Sequence, residues 1–154
     1  METTMPKAAK KLLSPGEIKR KLADPSDDYA IYGFLGRTTQ YAVPKFLQGI
    51  FAFSGQGFGK PISISETLSY RVPSRKRAQL IYFRAGNSSE NLIDALVLRN
   101  GEIMRRFPLG ANSACHIPLA VVEDLLAEML IELKIAAPEG AIGTLIVDIG
   151  FLEL

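Results

Sequence analysis

The sequence predicts an all-β protein, an antiparallel β-sandwich of jelly-roll type with a short amino-terminal helical arm. Three observations predict it. Strand-length apolar segments recur at a spacing of roughly ten residues from position 45 onward. Turn-forming Gly, Pro and Asn residues separate them, most clearly at Asn100-Gly101. Hydrophobic residues make up 47% of 154 residues against 22% charged, enough to line both sheets of one domain. Residues 1–25 read as a flexible basic arm and residues 26–154 as a single sandwich domain.

The arm carries a marked helix start. Ser14 suits the N-cap, Pro15 the first helical position and Glu17 the third, a capping box flanked by the Leu13–Ile18 staple. The helix is expected over 15–23, ending before Asp24-Pro25. Its short apolar stripe, Ile18 and Leu22, must dock on the body or on a neighbouring subunit, because so short a helix is marginal alone.

The strands follow in order. Phe46 to Phe53 is aromatic-rich and ends at Gly55, Gly57 and Gly59. Pro61 to Val72 alternates, with a phase change near Glu66-Thr67 that reads as a bulge. Ala78 to Ala85 places Leu80, Tyr82 and Arg84 on one face and Ile81 and Phe83 on the other. Leu92–Leu98 and Ile103–Phe107 flank Asn100-Gly101, whose residues suit the two positive-φ positions of a type I′ hairpin turn. Residues 119–135 fit two periodicities; a helical turn at 121–127 followed by a strand at 129–136 is preferred over one continuous helix. Leu145 to Leu154 forms the last strand, after a turn with Pro138 at i+1 and Gly140 at i+3.

The stretches "GKPISISETLSYRVPSRKRAQLIYFRAGNSS" and "APEGAIGTLIVDIGFLEL" resemble the jelly rolls of galactose-binding-like domains and carbohydrate-binding modules. The shared pattern is a "Y-x-V" strand, a hydrophobic–aromatic–Arg-Ala-Gly strand and a closing "G-T-L-x-V-D" strand, spanning about residues 59–154. The resemblance implies a sandwich that binds a small polar or sugar-like ligand.

Composition excludes several function classes. One Cys and one His leave no disulfide framework, no cysteine-based zinc site and no two-histidine motif, so neither metal nor cofactor is expected. No apolar run of about seven or more follows the early basic residues, and none reaches the roughly 18 of a membrane span, so the expected location is the cytoplasm. Net charge is only +2, too little to argue for nucleic acid by itself. Its distribution is uneven: +4 over residues 1–21, +5 over 71–106 and −6 over 107–154. That asymmetry suits one subunit packing against another. The apolar residues between Tyr29 and Phe53 are equally able to cover sheet edges or a second subunit, and a homo-oligomer is expected.

Candidate chemistry is sparse. Ser54-Gly55-Gln56-Gly57-Phe58-Gly59-Lys60 approximates a phosphate loop, but Ser54 replaces its first glycine and Pro61 the magnesium-binding hydroxyl. A glycine turn between strands is the simpler reading. Cys115-His116 is the one nucleophile–base pairing, yet neighbours in a strand point to opposite faces. Arg71, Arg75, Lys76 and Arg77 form a dense basic turn without interleaved aromatics for base stacking. Arg84, Asn87, Arg99 and Arg105 are the candidate ligand-binding residues, near a sandwich edge and the hairpin. Asn87-Ser88-Ser89 matches a glycosylation acceptor but reads as a loop cap. Asp94 and Asp148 interrupt apolar runs and are expected on outward faces; buried, each would need Arg84 or Arg99.

The preferred function is therefore a non-enzymatic protein acting by ligand binding or self-assembly. One alternative is a small enzyme using Cys115 and His116. Another is a nucleic-acid accessory protein using residues 7–21 and 71–77.

Overall fold

A computed structural model describes residues 42–154. The predicted arm and its helix over 15–23 lie outside the described residues. Nine strands follow: β1 (Val43–Ser54), β2 (Ser69–Arg71), β3 (Ala78–Asn87), β4 (Ile93–Arg99), β5 (Glu102–Leu109), β6 (Ser113–Pro118), β7 (Asp124–Leu125), β8 (Leu130–Ala136) and β9 (Ile142–Glu153). Two antiparallel sheets form a sandwich. The larger has the order β1-β9-β3-β6, with β7 also pairing β3; the smaller has the order β2-β8-β4-β5. The chain passes repeatedly between sheets, a jelly-roll-like arrangement. No helix among the described residues is long and apolar enough to cross a membrane.

Alternation places the core. In β9, Leu145, Val147, Ile149 and Phe151 face inward and are almost fully buried. Ile131, Leu133 and Ile135 of β8 and Ile93, Ala95 and Val97 of β4 answer them from the smaller sheet. Phe83 and Phe107 stack across the gap, their centroids 4.1 Å apart and their rings nearly parallel. Tyr70 of β2 donates a hydrogen bond to Glu153 Oε2 of β9 at 2.8 Å, so the one buried charged residue among the described residues is satisfied from the opposite sheet.

The Asn100-Gly101 turn forms as its residues predict, with φ of 51° and 84°, between β4 and β5. Asn100 Oδ1 also accepts the Leu130 amide at 2.9 Å.

Four local expectations change. The segment 61–72 is mostly irregular: Ile62 makes an isolated bridge to Ile135, and only Ser69–Arg71 forms a strand. The phase change is a turn in which the Leu68 amide donates to Ser65 O. Register shifts lie instead at Val97/Leu98, where β4 pairs β5, and in β3 between Leu80 and Tyr82, where Leu80 and Phe83 both enter the core while Tyr82 turns outward. The helical turn at 121–127 is absent; Asp124 and Leu125 pair with Gln79 and Ala78. Leu125 is buried while Val121 and Leu126 are exposed, so the helical stripe gains no burial. The turn before β9 sits one residue further along, with Ala141 donating to Pro138 O and Gly140 at φ 77° in its third position.

Asp94 and Asp148 point outward, yet their side chains are only 16% and 17% exposed. Arg84 pairs with Asp148. Arg106, not Arg84 or Arg99, pairs with Asp94, because it reaches across from the adjoining strand β5.

Candidate functional site

Register on the larger sheet assembles residues far apart in sequence into rows on its outer face. Gln48, Asp148, Arg84 and His116 lie opposite one another on β1, β9, β3 and β6. On one side of this polar row runs Ile50, Ile146, Gly86 and Ala114; on the other runs Phe46, Gly150, Tyr82 and Pro118. Period-two alternation fixes the sharing of a face. The bulge in β3 brings Tyr82 onto it.

Asp148 is the hub. Tyr82 donates its hydroxyl to Oδ1 at 3.0 Å, and the Arg84 guanidinium pairs with Oδ2. Burial raises the Tyr82 pKa first, followed by the hydrogen bond and charge of Asp148, with Arg84 opposing. His116 meets the Tyr82 ring edge to face, centroids 5.8 Å apart. Arg84 is largely exposed, so its ion pair contributes on the order of 0–1 kcal/mol. Its main effect is to orient Asp148.

Beside the polar row the sheet is shallow. Gly86 and Ala114 form a low floor between Arg84 and Ile146, in an open depression of about 680 Å³. A second depression of about 330 Å³ shares Gly86, Ala114 and Ile146 and reaches Ser88, Asn112, Ser113 and Thr144. The two form one trough, polar at both ends and apolar in the middle. Its surface offers amides, hydroxyls and the Arg84–Asp148 ion pair.

Of the residues singled out from the sequence, Arg84 and Asn87 line this trough. Asn87 is nearly buried, and its side chain is bonded within the fold. Its amide donates to the Asn91 and Gly110 carbonyls, and its oxygen accepts from the Ser89 amide and hydroxyl. Arg99 and Arg105 are on the smaller sheet, both paired with Glu123. Register thus separates them from Arg84. Cys115 packs against the core and His116 lies on the outer face. Burial raises the Cys115 thiol pKa, only partly countered by a backbone hydrogen bond from Ala85.

In the basic turn, Arg71 donates to Glu128 O and Arg77 pairs with Asp124 at 3.0 Å. Arg75 takes a left-handed φ of 64°, and the Lys76 amide closes the turn onto Pro73 O. In the glycine loop, the amides of Gly55, Gly57 and Lys60 donate to Ala141, Ala137 and Gly57 carbonyls. They are spent within the fold and do not cradle a phosphate. Among the described residues, no three His, Cys, Asp or Glu side chains converge to hold a metal.

Gln48, Tyr82, Gly86, Ala114 and Ile146 carry no individual signal as site residues. Gly86 offers the nearest to one, since a glycine within a strand marks a place kept clear of side chain.

No protein-family model matches the chain, and no curated protein matches it in sequence. A chain in the structure of infectious bursal disease virus, Gt strain, is similar to it at 10% identity and a TM-score of 0.42, over 75% of this chain and 33% of that one. The present chain thus spans about a third of the length of that viral chain.

Proposed function

We propose that the protein is a non-catalytic binding module whose outer sheet face takes a small polar, sugar-like ligand in the trough above Gly86 and Ala114. The observation that carries this reading is the floor itself: two minimal side chains lie beside a row of hydrogen-bonding groups, Gln48, Arg84 and His116. Hydroxyl-rich ligands are recognised by such planar donors and acceptors at the rim of an apolar floor. Asp148 is held by Tyr82 and Arg84 before any ligand arrives, which reduces the ordering cost of binding.

The test is amide chemical-shift mapping with a panel of neutral and acidic sugars. Binding here should move the resonances of Gln48, Arg84, Ala114 and His116 together. Gly86→Leu should abolish those shifts, and circular dichroism matching wild type should show that the fold is kept, since an added Cβ at Gly86 meets only Ala114 Cβ within 4 Å, at 3.8 Å. Shifts confined to another face, or unaffected by Gly86→Leu, would contradict the reading.

A further inference from the structure

We propose that β1 is the seam of a homodimer, in which two copies pair antiparallel through their β1 edges about a two-fold axis at Gln48. This inference does not rest on the ligand reading.

β1 is an end strand of the larger sheet, and among the described residues nothing pairs with its other edge. It is twelve residues long, about twice the usual strand. Proteins blunt such edges by shortening them, bending them or studding them with charge. This one runs in unbroken register with β9 and carries a single charge, Lys45. Its blunting features, Pro44 and Lys45, both lie near one end.

The backbone phase identifies what the edge presents. The Gly55 amide donates to Ala141 O and Gly55 O accepts the Gly140 amide, so odd-numbered residues of β1 bond toward β9. Phe46, Gln48, Ile50, Ala52 and Ser54 therefore direct their N–H and C=O groups to the open edge. Their side chains share the outer sheet face, where Phe46 is 52% and Ile50 70% exposed. An edge with exposed apolar side chains alternating along it is suited to a further strand.

The strand is self-complementary in one register. With Gln48 opposite Gln48 of a second copy, Phe46 falls opposite Ile50 of that copy, and Ile50 opposite its Phe46. Each becomes an aromatic–β-branched pair, a favourable cross-strand combination. Lys45 falls opposite Phe51 of the second copy, so no like charges meet. Pro44 falls opposite Ala52 and forfeits a bond only near the seam's end. The two-fold axis closes the assembly at two copies, because each molecule uses its only β1 edge.

The experiment is light-scattering mass of the full 154-residue chain across a dilution series. The wild type should have the mass of two chains. Gln48→Pro removes an amide that faces solvent in a monomer but sits at the centre of the seam, so this variant should have the mass of one chain. Ile50→Lys, at a highly exposed position, should do the same. Ile142→Lys, equally exposed on the same face but away from the β1 edge, should remain a dimer. Circular dichroism matching wild type establishes that each variant is folded; should Gln48→Pro fail that check, Ile50→Lys decides. A wild-type mass of one chain at every concentration, or an assembly that persists in the folded edge variants, would overturn the proposal.

Discussion

The ring of Tyr82 occupies the space that a side chain on Gly150 would need: a Cβ there would overlap Tyr82 Cε1 and come within 2.7 Å of Cδ1 and Cζ. The two residues face each other across β3 and β9, and this close approach lets the Tyr82 hydroxyl reach Asp148. Gly150→Ala should therefore destabilise the fold by about 1–3 kcal/mol, the usual range for overpacking. Tyr82→Ala in the same chain should recover part of that loss. Urea unfolding of the two single variants and the double variant measures the coupling; strictly additive effects would refute it.

Gly55 is constrained by backbone rather than by a ring. A Cβ there would overlap the Pro138 carbonyl oxygen and lie 2.9 Å from Ala137 Cβ. A carbonyl in a bonded turn cannot rotate away as a side chain does. Gly55→Ala should thus cost more than Gly59→Ala, where the added carbon meets nothing within 4 Å. Comparing their melting midpoints checks this ordering.

Tyr70 makes stability sensitive to alkali. Burial, then the hydrogen bond and charge of Glu153, raise its pKa well above the ordinary value of about 10. The neutral phenol's contribution is complete below pH about 10 and is lost as pH rises through the higher folded-state value. Unfolding free energy should therefore fall above pH about 10, and Tyr70→Phe should flatten that fall. At neutral pH the same variant should cost about 1 kcal/mol or more, since it leaves the buried Glu153 without its donor.

Cys115 should resist alkylation. Its thiol packs against the core and its pKa is raised by burial, so the reactive thiolate is scarce at neutral pH. Mass spectrometry should find slow labelling in the folded protein and fast labelling after denaturation. Rapid labelling of the native chain would show a thiol far more reactive than its setting implies.

Asn100 is held by two demands at once, a φ of 51° and acceptance of the Leu130 amide. Asn100→Ala should lose roughly 1–2 kcal/mol from the left-handed backbone and about 1 kcal/mol more with the hydrogen bond. Asn100→Gly should keep the backbone term and lose only the second. Their unfolding midpoints should rank in that order.

The features legible along the chain are those decided by neighbouring residues. The Asn100-Gly101 turn follows from which residues tolerate positive φ. The apolar runs that became β1, β3, β4, β5, β8 and β9 follow from alternation, and the two-sheet class from their number and spacing. Residues 119–135 were equivocal because their apolar spacing satisfies both periods. Pairing of Asp124 and Leu125 with the edge of β3, with Leu125 buried, makes that stretch extended. The polar row was not legible: Arg84 and Asp148 lie 64 positions apart, and no local preference specifies which residues face across a sheet. Register depends on the summed packing of both inner faces, and the bulge at Leu80–Tyr82 arises where Leu80 and Phe83 both enter the core. Moving that bulge by one residue would turn Tyr82 inward and dismantle the outer-face cluster, although every turn and strand would remain recognisable.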